Sequence, residues 1–324
     1  MNSITKLRRA MLLLAATGMA LGSSAPIAAG APQPVKIEKP QAWAGVNQVV
    51  IGQFSVVFLT KKVDYDGGGF LAAGGKAKAT GYLTGLADAD YRKITDAVYA
   101  DFLAQLGQHG ISVVGDSGLV ADPYFAKVKP EAQANKVDVQ FKKGDHADGL
   151  AYWPSQLGRN TNALLTLRMM DGNMVNAYTG EYNFARTAHV PVLNVVYVVD
   201  FAKPAKASGG GLLQDVSVSA GLALSQFGSQ FALMGTDGKL TRMLLQVPIE
   251  EGGDFAEIKE TTSDVSKGLH VASVIGAGLF GGKSGGMSAK FDYRVTDPVL
   301  YGTKTQSVSQ RGSDLFIRQM EALR

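Results

Sequence analysis

The sequence predicts an α/β (α+β) fold, a mixed β-sheet covered by amphipathic helices and extended by antiparallel β-hairpins. Three observations carry that expectation. Val49-Val50-Ile51 and Phe54 to Leu59 form a β-branched and aromatic run without a polar face, as a strand covered on both sides requires. Tyr91, Ile94, Val98, Phe102 and Leu106 recur every three or four residues, the spacing of one helical face. Asp171-Gly172 and Asp237-Gly238 interrupt apolar runs with the dipeptide that tight hairpin turns favour, because glycine accepts positive φ.

The first strand and the helix belong together. Asp88 or Asp90 can cap the helix, Gly107 or Gly110 can end it, and Ile111 to Val114 returns the chain to the sheet as a second buried strand. A strand–helix–strand connection of this length favours parallel neighbours. Upstream, Pro32, Pro34 and Pro40 mark residues 31–46 as an extended lead. Between strand and helix, Gly67-Gly68-Gly69 and Gly74-Gly75 mark a loop or a projecting hairpin. Pro123 suits the first turn of a short helix within 122–136, and Val137 to Phe141 reads as a strand.

From Ala163 the pattern turns β-rich, and a subdivision of the 47–324 domain would fall near residue 160. Leu164 to Met170, the Asp171-Gly172 turn and Met174-Val175 read as a hairpin. Val190 to Phe201 is apolar on both parities and reads as a central strand. Lys203 to Gly211 reads as a loop, and Val216 to Leu224 alternates as a strand with one weakly apolar face. Asp237-Gly238 joins Phe231 to Leu233 with Leu240 to Val247. A helix is expected near Phe255 to Leu269, a strand at Ala289 to Val295, and a closing helix after the Asp297-Pro298 cap, broken near Gly312.

The N-terminus carries the anatomy of a secretory signal peptide over residues 1–30: Lys6, Arg8 and Arg9, then an apolar run from Ala10 to Leu21, then small residues through Gly30. That run is shorter than the roughly 20 residues of a membrane-spanning helix. The segment holds three of the cations and no carboxylate, so its removal lowers the formal net charge from +4 to +1. The remaining lysines are scattered, so nucleic acid is not expected as a partner. The chain has no cysteine, which excludes disulfides, thiolate metal sites, a cysteine nucleophile and a lipid-modified N-terminal cysteine.

Several motifs invite catalytic readings. Ala277 to Ser284 fits a relaxed phosphate-loop pattern and Gly276-x-Gly278-x-x-Gly281 a dinucleotide fingerprint, but Gly285-Gly286 and a strand-like run follow where a helix N-terminus is needed. No cofactor is therefore expected. Gly115-Asp116-Ser117-Gly118 resembles the nucleophile blocks of trypsin-like proteases and Gly-Asp-Ser esterases, and Gly158-x-Asn160 another esterase block. Ser117 would need a base from His109, His146, His189 or His270, and none completes a family order. Asp145, His146 and Asp148 cluster near Trp153 and are the alternative metal or polar-ligand site; a solvated loop is the plainer reading.

The order of strand, long helix, Ile111 to Leu119, hairpin strands and a helix after Asp297-Pro298 resembles the periplasmic α/β domain of the curli secretion channel family. The likeness is one of layout over about two thirds of the mature chain, without a diagnostic motif. It implies an oligomeric, envelope-associated protein whose hairpins pair between subunits. That family is usually anchored through a cysteine, which is missing here, and no hairpin shows aromatic belts beside an outward apolar band. The expectation is an exported, non-enzymatic protein of the periplasm or outer membrane that works through protein partners or self-association. A secreted serine hydrolase using Ser117 is the alternative.

Overall fold

The computed structural model describes residues 33–67, 76–129, 133–142, 145–158, 172–203, 206–208, 215–252, 255–262 and 288–324. Its axis is β2 (Gln48–Gly67), a 20-residue strand that keeps changing neighbours. Over Val50 to Phe58 it pairs in parallel with β7 (Val192–Ala202), every residue of which is buried. At its start it pairs in parallel with β4 (Ser112–Val113). Over Val56 to Lys62 it pairs antiparallel with β6 (Asp145–Tyr152), and from Lys61 onward with β3 (Lys76–Thr84).

The sheet spreads from this axis. On one side β7 pairs with β11 (Gln230–Met234), then β12 (Leu240–Leu245), then β1 (Val35–Ile37). The far half of β7 pairs instead with β10 (Ala220–Leu224) and through it β13 (Ile249–Gly252). On the other side β3 pairs in parallel with β15 (Ser288–Val295), which carries β14 (Ala256–Glu260). The β5 strand (Asn135–Lys142) closes a hairpin with β6, while β8 (Lys206–Ser208) and β9 (Asp215–Ser217) form a separate two-stranded ribbon. The sheet is therefore mixed, with hairpins added, as expected.

Helix α1 (Asp88–Gln108) and helix α4 (Pro298–Ala322) cover one face. The stripe read from the sequence is buried: Tyr91, Ile94, Val98, Phe102 and Leu106 are all at or below 6% exposure. The two helices meet the sheet through aromatic edges and stacks, α1 with Tyr99 against Phe54 at 4.9 Å and Tyr91 against Phe58 at 4.8 Å, α4 with Phe316 against Phe231 at 4.4 Å. The cap of α1 is Ala87, whose amide donates to Asp90 Oδ2 at 2.8 Å, so Asp90 reaches back from the first turn. Asp297 caps α4 as expected, accepting from the Leu300 amide at 2.9 Å. Helix α3 (Gly172–Ala188) and a short turn, α2 (Ser117–Val120), cover the other face over Val50, Val192 and Met234.

Several expectations are corrected. The chain after Asp171 does not resume as a hairpin strand; Gly172 opens α3, because Ala177, Glu181 and Ala185 repeat at helical spacing and are buried on the sheet. Residues 256–260 form strand β14 where a helix was expected, their exposure alternating as a strand edge requires. The return at 111–114 shrinks to two exposed residues beside a buried Ile111, since β7, from far along the chain, takes the central parallel place. The run 216–224 divides between β9 and β10, and a 3₁₀ turn at Phe125–Lys127 replaces the helix expected after Pro123.

Two further differences lie near the termini. Helix α4 runs unbroken through Gly312, where a Cβ would overlap Leu224, so that glycine serves close packing. The segment read as an extended lead is woven into the fold: β1 pairs with β12, and Trp43 is fully buried, its Nε1 donating to Thr241 Oγ1 at 3.1 Å. Residues Leu164 to Met170, His270 and the glycine motif at 276–286 lie outside the described residues.

Candidate functional site at one end of the sheet

The registers bring the strand ends joined by four connections to one end of the sheet. Strand β2 reaches that end at Gly67 and β3 leaves it at Lys76; β5 and β6 turn there between Lys142 and Asp145. Ala202 of β7 pairs with Ala220 of β10 at the same end, and β14 leaves for β15 there, with Thr261 N bonded to Lys290 O. Three of these connections contain the glycine-rich stretches 67–75, 209–211 and 276–286.

At this end the sheet forks, and an ion pair sits in the fork. Thr60 is an extra residue relative to β6, since Leu59 pairs with Gly149 and Lys61 with Asp148. The bulge turns Lys62 inward. Its Nζ lies 2.7 Å from Asp200 Oδ2 and donates to Ala202 O at 3.0 Å, with Lys62 8% and Asp200 7% exposed. Here β2 lets go of β7 and takes β3. Phe201 and Tyr293 fill the opening, edge to face at 5.1 Å, and a side chain at Gly81 would meet both rings. Burial first, then the charges of Tyr91 and Asp200, push the Tyr301 hydroxyl well above its usual value.

The outer face beside the fork is a charged row. Register carries it strand by strand through Lys259, Asp292, Tyr82, Lys61, Asp148 and Asp138, all half-buried or exposed. Lys61 Nζ is 3.1 Å from Asp148 Oδ2, and that carboxylate, by hydrogen bond and by charge, holds the ammonium above its usual value. His146 Nδ1 lies 3.0 Å from Asp138 Oδ1.

Two of the residues read as a metal site, His146 and Asp148, thus do lie at this end, on alternate positions of β6. Each has a protein partner in this row, Asp138 and Lys61. The side chain of Asp145 lies outside the described residues, and among those described no three His, Cys, Asp or Glu side chains converge on a metal-sized site.

Ser117 is elsewhere, exposed at the first residue of α2, which follows β4 beside the start of β2 at the opposite end of the sheet. Among the described residues no histidine hydrogen-bonds to its hydroxyl. His109 is held 3.0 Å from Glu321 Oε1, His146 faces Asp138, and His189 is exposed with φ 55°.

The fork itself was legible only as two anomalies: a lysine following an apolar strand, and Asp200 as a charge within the largely apolar run of β7. A charge inside a buried strand implies a partner, but not which one. Asp138 carried no signal beyond lying in a strand. No protein-family model, no curated protein and no solved structure matches the chain.

Proposed function

We propose that this chain is an exported, non-enzymatic envelope protein that acts by assembly or partner binding, as part of an oligomeric complex of the periplasm or outer membrane. The observation that supports this best is that the strand ends joined by four connections, three of them glycine-rich in sequence, lie at one end of a closely packed sheet. Loops held together at one end of a scaffold are where binding surfaces are commonly built. The leader-like N-terminus supports export, and the charged row beside the fork supplies charges that can set the register of a protein contact.

Fractionation of cells carrying a C-terminally tagged chain tests the reading. The expected result is a shortened chain in the periplasmic or outer-membrane fraction, migrating as a particle larger than one copy. A full-length chain in the cytosol, migrating as a single copy, would overturn it.

A further inference from the structure

We propose that copies of this chain join head to tail, with β14 of one copy adding in parallel to β5 of the next, Lys259 opposite Asp138 and Glu257 opposite Lys136. This rests on the assembly reading and names its partner as a second copy.

Near the fork the sheet runs β5, β6, β2, β3, β15, β14, so β5 and β14 are its two edges, each paired on one side only among the described residues. Strand β6 is antiparallel to β2 and β5 to β6, so β5 runs with β2. Strand β3 is antiparallel to β2, β15 parallel to β3 and β14 antiparallel to β15, so β14 also runs with β2. Two edges with the same direction can join by rotation alone, and every copy then presents its loop-bearing end the same way. A head-to-tail contact of this kind closes into a ring when the rotation allows.

The edges also match in charge. The row that ends in Lys259 on β14 begins with Asp138 on β5, so a neighbouring copy continues the row with an opposite charge. Two residues along, Glu257 meets Lys136; all four side chains are exposed. Between them Ile258 faces Val137, both half-buried. Charges on edge strands ordinarily discourage pairing. Here they select one register: a two-residue slip sets Lys259 against Lys136 or Glu257 against Asp138, and a one-residue slip turns Ile258 to the wrong face.

The test is a charge-exchange cycle on the full chain, read as the association constant by light scattering, with circular dichroism as the check on folding. Lys259→Glu and Asp138→Lys should each weaken association about threefold to tenfold, and the double variant should restore it. A second cycle, Glu257→Lys with Lys136→Glu, repeats the measurement at positions that touch no histidine. Because the chain lacks cysteine, Lys259→Cys with Asp138→Cys should yield a ladder of disulfide-linked copies.

Rescue of Lys259→Glu by Glu257→Lys would mean that β14 pairs antiparallel with itself, overturning head-to-tail addition. Association untouched by both cycles, with no ladder, would overturn edge pairing and leave assembly standing. A wild-type chain that stays a single copy in envelope extract would overturn both readings.

Discussion

Lys62 and Asp200 meet at 2.7 Å where β2 exchanges β7 for β3, and each is buried at an otherwise apolar position. The pair fixes where the sheet divides, because either charge left alone there has no water to turn to. Lys62→Met or Asp200→Leu should each destabilise the fold by about 3–5 kcal/mol, while the double variant should recover most of the loss. Chemical denaturation of the three variants checks this. Single losses below about 1 kcal/mol would show the pair to be solvated.

Gly52 makes room for a second buried polar contact, Asn194 Nδ2 donating to Glu181 Oε2 at 2.8 Å. A Cβ on Gly52 would lie 2.6 Å from Asn194 Oδ1 and 3.0 Å from Glu181 Oε1. Gly52→Ala should therefore cost about 1–3 kcal/mol by overpacking. Gly107→Ala, at a position in α1 with nothing within 4 Å, should stabilise by about 0.5 kcal/mol. Thermal denaturation of the two variants should show shifts of opposite sign.

Helix α1 and β12 were legible because each buries a periodic face, and β7 and β11 because they are continuous apolar runs buried on both sides, patterns that a sequence displays directly. Helix α3 was not, since Asp171-Gly172 is a turn signal in either context, and only the buried Glu181 and Ala185 reveal a helical face. Strand β14 was hidden because an edge strand buries little. The fork was only half legible for a different reason: Lys62 and Asp200 are 138 residues apart, and a lone charge in an apolar strand does not tell which distant residue pairs with it.

Alkaline unfolding has a definite direction. Burial pushes Tyr91 up to about 12, and burial also raises Tyr152, Tyr197 and Tyr301, with the Asp88 hydrogen bond adding at Tyr152. A phenol with a raised folded value keeps its proton more tightly in the fold than in the unfolded chain, where it titrates near about 10. Its contribution is full below about pH 10 and is lost as pH rises through the folded value. Stability by denaturant titration should fall steadily above about pH 10. Tyrosinate absorbance from these four residues should appear together with loss of the near-ultraviolet circular dichroism; their ionisation while the fold is intact would contradict the burial argument.

Trp43 anchors the N-terminal segment through Thr241, both fully buried. Thr241→Val removes that acceptor and the hydroxyl's own donation to Glu38 O, leaving the indole N–H unpaired, an expected loss of about 1–3 kcal/mol. Equilibrium unfolding followed by tryptophan fluorescence measures it, and an unchanged midpoint would show that the N-terminal segment docks without the bonds of the Thr241 hydroxyl.

Assembly through the loop-bearing end and edges of the sheet is tested most directly by the mass of the native particle. Multi-angle light scattering of the tagged protein, purified from the envelope fraction and measured with and without membrane extract, should give a discrete multiple of the chain mass. A monodisperse single copy under both conditions would contradict it.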